Sequence, residues 1–258
     1  MKISIALYQK RSDGIFDSDK IEKTLGRGYD LVGLPEYCFV PVQAASQLET
    51  AKDLKKNLDF LTELSVRLKT VLVGGSVVEE EGGTFYNTCY VFDRGRLAGK
   101  YRKVNLYRRE AGKGVSTGDR YQVFEIGSIR VGVLICADVL FPESYQKLAG
   151  LQPDIIFVPT TSPFRADDAV EAKERRDADY FLAGAKTTSA YVAKCCAVGS
   201  LLGGRLQGRS LIAAPWGILK RVPFEDEDKE PVLTAELDLE ELKQYRRSDS
   251  GSGTQIKI

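Results

Sequence analysis

The 258-residue chain contains no histidine. This absence excludes Ser-His-Asp and Cys-His catalysis within one chain, and it excludes every metal site that needs an imidazole ligand. Any acid–base chemistry must therefore use carboxylates, lysines, tyrosines or cysteines.

An excess of charge of either sign is also missing, because 37 Lys and Arg residues face 36 Asp and Glu residues and the net charge is +1. Near-neutral charge gives no electrostatic argument for a nucleic-acid or membrane partner. There is no run of about 18 apolar residues, the length that a membrane span requires. The first ten residues contain no apolar stretch long enough for a signal peptide. We expect no nucleic-acid partner and no membrane partner.

Paired cysteine motifs are absent too. The cysteines are five in number: Cys38, Cys89, Cys136, Cys195 and Cys196. Only the last two are close in sequence, and they are adjacent, which excludes a zinc knuckle and a thioredoxin-type motif. An odd number of cysteines without a signal peptide predicts reduced thiols and a cytoplasmic protein.

The patterns typical of strands and helices alternate along the whole chain, and no linker rich in Ser, Pro or Gly divides it. The length fits one large domain or two small ones, and the missing linker favours a single domain over residues 1–258. Strands are predicted at 2–8, 30–34, 71–78, 86–93, 129–135, 154–158, 191–198, 210–213, 218–222 and 232–237, and helices at 17–26, 48–68, 142–149 and 167–188. Many strands with few crossover helices predict an α/β (α+β) chain with one or two mixed sheets. The acidic stretches 79–81 and 225–230 lie between strands, and we interpret them as solvated hairpin loops.

Three reactive side chains stand out near apolar strands, where sheet-based folds build their sites. Glu36 follows the run LVGLP, Lys103 lies in KYRKVNL, and Cys136 ends the most hydrophobic strand, just before a helix that Pro142 can open. Taken singly, each has an ordinary explanation as a loop carboxylate, a surface lysine or a buried structural thiol. Taken together in a chain without histidine, a carboxylate and a lysine are the natural candidates for the base and the oxyanion donor of a cysteine nucleophile.

The segments around these three residues resemble the three motifs of the nitrilase superfamily of carbon–nitrogen hydrolases. LPEYCF contains Glu36, KYRKVNLY contains Lys103 and GVLICADVLFPE contains Cys136, and they occur in the order found in that family. The resemblance runs nearly from end to end. It implies a nitrilase-like fold, a four-layer α-β-β-α sandwich of two mixed β-sheets, and the association of sandwiches into homodimers or larger homo-oligomers.

The same resemblance implies a role for each motif residue: Cys136 as the nucleophile, Glu36 as the base and Lys103 as the oxyanion stabiliser. Many members have a second glutamate in the loop after the lysine, and Glu110 is the only glutamate in the corresponding loop, 108–119. The backbone N–H of Ala137 is the candidate for a second oxyanion donor. All these groups belong to the protein, so no cofactor and no metal is implied.

The segment Cys136-Ala137-Asp138 resembles the amidase and carbamoyl-hydrolase branches more than the true nitrilases. We therefore expect a thiol-dependent amidase that hydrolyses a small amide or N-carbamoyl substrate through a thioester. We interpret Asp138 as a residue that makes local hydrogen bonds. A nitrilase, an acyltransferase that uses the same thioester, and a non-catalytic binding scaffold remain as alternatives.

Four further residues have two interpretations each. Tyr37, Phe164 and Trp216 could line a pocket or belong to the core. Arg165 could bind a carboxylate through two hydrogen bonds, or it could be an ordinary surface charge.

Overall fold

The computed structural model describes residues 1–251, and for residues 108, 109 and 249–251 it describes only the backbone. The last seven residues of the predicted domain, 252–258, lie outside the described residues. None of the described helices is both long and apolar enough to cross a membrane.

The elements alternate along the chain. The strands are β1 (Lys2–Tyr8), β2 (Arg11–Ser12), β3 (Leu31–Gly33), β4 (Val71–Val73), β5 (Val77–Glu81), β6 (Thr84–Asp93), β7 (Arg96–Arg102), β8 (Val115–Ser116), β9 (Val123–Ile126), β10 (Ile129–Val133), β11 (Ile155–Thr160), β12 (Tyr191–Cys196), β13 (Val198–Leu201), β14 (Gly204–Leu206), β15 (Leu211–Ala214), β16 (Gly217–Arg221) and β17 (Val232–Asp238). The helices are α1 (Ser18–Leu25), α2 (Leu54–Leu68), α3 (Arg108–Ala111), α4 (Pro142–Ala149), α5 (Val170–Asp177), α6 (Ala183–Thr188) and α7 (Leu239–Gly251). One π-helical turn joins α5 to α6, and 3₁₀ turns cover Gln47–Asp53, Cys136–Leu140 and Phe224–Asp226.

Two large mixed sheets form the centre of the fold. The first has the strand order β17-β1-β3-β4-β6-β5, with β7 and β8 also paired to β6. The second has the order β16-β15-β12-β11-β10-β9. In the first sheet β1, β3 and β4 run parallel, and in the second β10, β11 and β12 do. The outer strands β17, β6, β9 and β15 pair antiparallel to them.

Alternation along β1 shows how the sheets are layered. Ile5 and its neighbours two positions away pack into the apolar core that the first sheet shares with Val131 and Phe157 of the second. Ala6 points to the other face and packs with Leu61 of α2. Because successive strand residues face opposite sides, both faces of β1 are covered. The predicted four-layer α-β-β-α sandwich is confirmed.

Helix α2 is shorter than the predicted helix 48–68. A capping box between Ser46 and Glu49 starts a 3₁₀ turn over Gln47–Asp53, and the α-helix begins only at Leu54. The predicted apolar stripe is present in α2, where Leu61 and Leu64 are fully buried.

The predicted strand 71–78 is in fact two strands, β4 and β5. The break falls at Gly74 and Gly75, and Gly75 has φ +70°, which a side chain rarely tolerates. The N–H of Gly75 donates to the carbonyl of Val73, two residues earlier, and this tight turn takes the chain out of β4. This turn lies against the loop that carries Glu36, because the N–H of Ser76 donates to the carbonyl of Pro35.

The interpretation of both acidic stretches as solvated hairpin loops is wrong in part, because residues 79–81 are the last three residues of strand β5 and one residue of each stretch is buried. Glu79 lies within β5 and is 4% exposed, and Glu227 is 7% exposed. Lys100 and Arg102 on β7 pair with the carboxylate of Glu79. Burial by itself would raise the pKa of Glu79, but hydrogen bonds from these cations outweigh it and lower the pKa to about 2.

Gly75→Ala is expected to destabilise the protein more than Gly82→Ala, by about 1–3 kcal/mol. Both glycines have positive φ, +70° and +59°, so both variants bring a side chain into the left-handed region of the backbone. A methyl group at position 75 would overlap the carbonyl oxygen of Pro35, whereas nothing lies near one at position 82. Urea unfolding of the two variants measures the difference. Equal losses of stability would show that the close approach to Pro35 has no energetic cost.

Candidate active site

The three predicted residues come together after three different strands. Glu36 follows β3, Lys103 follows β7, and Cys136 follows β10 at the start of a 3₁₀ turn. All three line one cavity of about 490 Å³, together with Glu110 and Ala137. Glu36 and Lys103 are each only 1% exposed. The two sheets therefore supply one polar site inside an apolar core.

Lys103 lies between two carboxylates. Its ammonium donates to Glu36 Oε1 at 2.8 Å and to Glu110 Oε2 at 2.7 Å. Burial by itself would lower the pKa of Lys103, but the negative charge of Glu36 and of the other acidic groups outweighs it and raises the pKa. The ammonium is therefore charged at neutral pH. An ammonium has three N–H donors, so one is left for a third acceptor.

Asn87 and Tyr37 fix the two carboxylates relative to each other. The side-chain amide of Asn87 donates to Glu36 Oε1 at 3.0 Å and to Glu110 Oε1 at 2.9 Å, and the Tyr37 hydroxyl donates to the same Glu110 oxygen at 2.8 Å. Burial opposes the ionisation of Glu110, yet Lys103, the backbone N–H of Tyr107 and the Asn87 amide lower its pKa. Neither Asn87 nor a polar role for Tyr37 was predicted from the sequence.

Thr161 connects Glu36 to Cys136. The backbone N–H and the hydroxyl of Thr161 donate to Glu36 Oε2 at 2.9 and 2.5 Å, and the Cys136 thiol donates to the carbonyl oxygen of Thr161 at 3.3 Å. With Lys103 and Asn87 on Oε1, four donors hold the Glu36 carboxylate in place. Thr161 directly follows β11, and only this position at a strand end could have indicated its role.

Cys136 has a strained backbone, with φ +44°, in the left-handed region that non-glycine residues rarely adopt. Asp138 holds this turn. Its carboxylate accepts the N–H of Ile135 at 2.8 Å, the N–H of Asn105 at 2.7 Å and the Tyr101 hydroxyl at 2.8 Å. Burial raises the pKa of Asp138 to about 6 although these donors oppose the rise. The interpretation of Asp138 as a residue with local hydrogen bonds is confirmed.

The Cys136 thiol is protonated at rest. Burial raises its pKa, the negative charge of Glu36 raises it further, and Lys103 only partly opposes them. Ala137, the next residue, is buried at the first turn of the 3₁₀ segment. The first N–H groups of such a turn have no partner within it, so the N–H of Ala137 is the available backbone donor beside the thiol.

The four residues that had two interpretations each lie in different places. Tyr37 lines the cavity, and so does Arg165. Trp216 packs against Tyr191 and Tyr245. Phe164 lies under the Arg205 guanidinium, 4.0 Å from the ring centroid. Among the described residues, no group of three or more Cys, Asp or Glu is placed to hold a metal ion.

Because the pKa of Cys136 is raised, its alkylation by iodoacetamide is expected to accelerate continuously as the pH rises from 6 to 9. The thiolate is the reactive form, and an ordinary thiol has a pKa of about 8.5. The other four cysteines are buried, so peptide mapping should find the label on Cys136 alone. A rate that is already constant between pH 6 and pH 8 would show a resting thiolate and contradict this description.

A thiol-dependent hydrolase needs a thiol nucleophile, a base and an oxyanion donor. One cavity of this sandwich contains a thiol, a carboxylate and an ammonium that can fill these roles. The chain belongs to the carbon–nitrogen hydrolase family, whose sequence profile matches residues 18–247. The resemblance to the nitrilase superfamily is therefore confirmed, and the protein is a thiol-dependent carbon–nitrogen hydrolase.

Relatives of known name cover almost the same length. The chain is 28% identical to the omega-amidase NIT2-B of Xenopus laevis, over 92% of this chain and 87% of that protein. It is also 28% identical to the 2-oxoglutaramate amidase of Bacillus subtilis, over 93% of this chain and 90% of that protein. The crystal structure of Saccharomyces cerevisiae Nit3, a member of branch 10 of the nitrilase superfamily, is 24% identical and superposes with a TM-score of 0.80, covering 100% of this chain and 97% of Nit3.

Proposed function

We propose that this hydrolase cleaves the C–N bond of a small amide through a thioester on Cys136, with Glu36 as the base and Lys103 as an oxyanion donor. The observation that carries the proposal is the arrangement around Thr161, which holds the Glu36 carboxylate through two hydrogen bonds and accepts the Cys136 thiol on its carbonyl. These hydrogen bonds support the proposal, because the groups that it names as proton donor and proton acceptor both contact Thr161.

In the first half-reaction Glu36 accepts the thiol proton, and the Cys136 sulfur attacks the amide carbonyl carbon. The third N–H of Lys103 and the N–H of Ala137 stabilise the oxyanion that forms. One such donor typically lowers the barrier by about 2.7–4 kcal/mol. Glu36 then gives its proton to the amide nitrogen, the C–N bond breaks, and ammonia leaves the thioester behind.

In the second half-reaction Glu36 accepts a proton from water, and the hydroxide attacks the thioester carbonyl. The C–S bond breaks, the carboxylic acid leaves, and the proton returns from Glu36 to the sulfur. Glu110 accepts a hydrogen bond from Lys103 at 2.7 Å. We propose that it keeps the ammonium aligned and orients the attacking water.

Ammonia release by the wild type and by Cys136→Ala tests this function. The panel contains small amides, monoamides of dicarboxylates, N-carbamoyl compounds and nitriles. The names of the two relatives, omega-amidase and 2-oxoglutaramate amidase, favour the amides over the nitriles. We expect turnover of at least one amide that disappears in the variant. Turnover that survives in Cys136→Ala, or none with any compound, would contradict the proposal. Added hydroxylamine would form a hydroxamate if the acyl group passes readily to acceptors other than water.

We also propose that the chain is a single carbon–nitrogen hydrolase domain that works in the cytoplasm as a homodimer or larger homo-oligomer. The five free cysteines fit a reducing compartment. Leu140 and Phe141 are exposed next to each other at the start of α4, and a second copy could cover this apolar surface. Light scattering that gives the mass of one chain at micromolar concentration would contradict the oligomer.

A further inference from the structure

Positive charge is concentrated in the wall of the active-site cavity. Outside the catalytic group, the described part of this wall contains a single carboxylate, Asp168, and six cationic side chains: Lys113, Arg165, Arg176, Lys194, Arg205 and Arg209. The whole chain has a net charge of only +1, so this excess belongs to the cavity. A cleft with charge of one sign concentrates ligands of the opposite sign.

Arg209 is the most unusual of these cations. It is 7% exposed, and its Nε has no hydrogen-bond partner among the described residues. Its Nη1 makes only a long contact of 3.5 Å with the carbonyl of Lys173. A buried donor without a partner destabilises the folded protein, and the effect is larger when the donor is charged. A ligand with acceptor oxygens would remove this effect.

The acidic groups near Arg209 are already engaged with other cations. Asp168 pairs with Arg176. Asp177 accepts from Arg221 at 2.7 Å and from Lys194 at 3.3 Å. Arg209 therefore has no carboxylate of its own among the described residues.

The charge of Arg165 acts on the same carboxylate, Asp168, as the charge of Arg209 does. Burial acts to raise the pKa of Asp168, but Arg176, Arg209 and Arg165 outweigh it and lower the pKa. The positive charges of all three guanidinium groups therefore act on one carboxylate, and Arg176 is the one bonded to it. Arg165 is exposed and Arg209 is buried, so the two lie on the cavity wall at different depths. A guanidinium matches a carboxylate through two parallel hydrogen bonds.

We propose that Arg209 and Arg165 form a subsite for a carboxylate at the far end of the substrate, while the amide of the same molecule lies at Cys136. The substrate class is thus the monoamides of small dicarboxylates. The inference rests on the proposed amidase function and adds the residues that select a charged substrate. A cavity of about 490 Å³, lined by Cys136 and by both arginines, lies within the usual range for small-molecule sites.

The test compares two substrates of similar length, succinamate, which carries a carboxylate, and butanamide, which does not. In Arg209→Met and in Arg165→Gln, kcat/KM for succinamate should fall about 10- to 100-fold, mainly through KM, while kcat/KM for butanamide changes less than about threefold. Arg120→Gln is the matched control, because Arg120 is exposed and pairs with its neighbour Asp119. If Arg209→Met does not fold, the comparison of the two substrates in Arg165→Gln alone tests the subsite.

Binding separates this inference from the proposed function. Succinamate titrated into Cys136→Ala should bind, and in Cys136→Ala/Arg165→Gln its affinity should fall about 10-fold or more, whether or not the wild type turns it over. If succinamate and butanamide are hydrolysed equally and the arginine variants leave their ratio unchanged, the subsite is wrong and the amidase stands. Absence of binding to Cys136→Ala would also overturn the subsite. Binding that depends on Arg165, without any amide turnover by the wild type, would keep the subsite and overturn the proposed function.

Discussion

Glu36→Gln is expected to lower kcat for amide hydrolysis by about 10²- to 10⁴-fold, the usual contribution of a general base. The amide of glutamine cannot accept the proton of the Cys136 thiol, whose raised pKa makes that transfer necessary. The size and shape of the side chain are retained, so the cavity stays formed. The assay is ammonia release at saturating substrate, with the unfolding temperature measured on the same preparation.

The matched control for this variant is Glu63→Gln. Glu63 lies on the surface of α2, where its side chain is 59% exposed, and its substitution is expected to change neither kcat nor stability appreciably. Glu36→Gln itself should lose some stability, because the N–H of Thr161 or the donors on the other oxygen then face an NH₂ group. Wild-type kcat in a folded Glu36→Gln protein would contradict the assignment of the base.

Lys103→Met is expected to abolish activity and to destabilise the protein by about 3–5 kcal/mol at pH 8, the usual result of removing one partner from a buried ion pair. Without the ammonium, the carboxylates of Glu36 and Glu110 remain buried and share the Asn87 amide. One of them must then take a proton, and its pKa rises.

The pH dependence of this loss has a defined sign. In the wild type the pKa of Glu110 is lowered, so its contribution to stability is present above its ordinary pKa and decreases as the pH falls. In Lys103→Met a raised pKa means that stability decreases as the pH rises through it. The difference in unfolding free energy between the two proteins should therefore be smaller at pH 5 than at pH 8. Urea titrations at the two pH values measure it.

A double variant provides the control for the lysine. Lys103→Met/Glu110→Gln removes the second buried charge and should recover part of the stability at pH 8, but none of the activity. A single Lys103→Met variant as stable as the wild type at pH 8 would show that the two carboxylates do not depend on the ammonium.

The residues that the sequence could indicate are those at strand ends. Glu36 and Cys136 follow apolar strands, and the absence of histidine limited the acid–base groups to carboxylates, lysines, tyrosines and cysteines. Glu110 came from the resemblance alone, and in the structure it lies 2.7 Å from Lys103. The motif order thus predicted the fold and the set of residues that the structure brings together.

Asn87 was not predicted because nothing local distinguishes it, and the only signal for Thr161 was its position directly after β11. Asn87 lies inside β6 among residues with strand periodicity, and its role depends on Glu36 and Glu110, which are 51 and 23 positions away. Glu79 was misinterpreted for a similar reason. It lies in an acidic stretch, and only the pairing of β5 and β7 with β6 brings Lys100 and Arg102 to its carboxylate.

The breaks within predicted strands have local causes that periodicity does not show. The run 71–78 contains Ser76 as its one polar side chain, so its pattern suits one strand, but Gly75 adopts a positive φ at the break between β4 and β5. Likewise the predicted strand 191–198 ends as β12 at Cys196, and β13 begins at Val198 in a separate small sheet with β14 and β2. Short strands such as β2 depend on pairing with distant segments and have no periodicity to detect.

The most direct test of the thioester is to trap it. Wild-type protein is acid-quenched within milliseconds of mixing with an amide that it hydrolyses, and the intact mass and the Cys136 peptide are measured. We predict an adduct on Cys136 with the mass of the substrate minus ammonia, which hydroxylamine removes and which Cys136→Ala does not form. Ammonia release by the wild type with no adduct on Cys136 under any quench condition, together with activity in Cys136→Ala, would contradict the account.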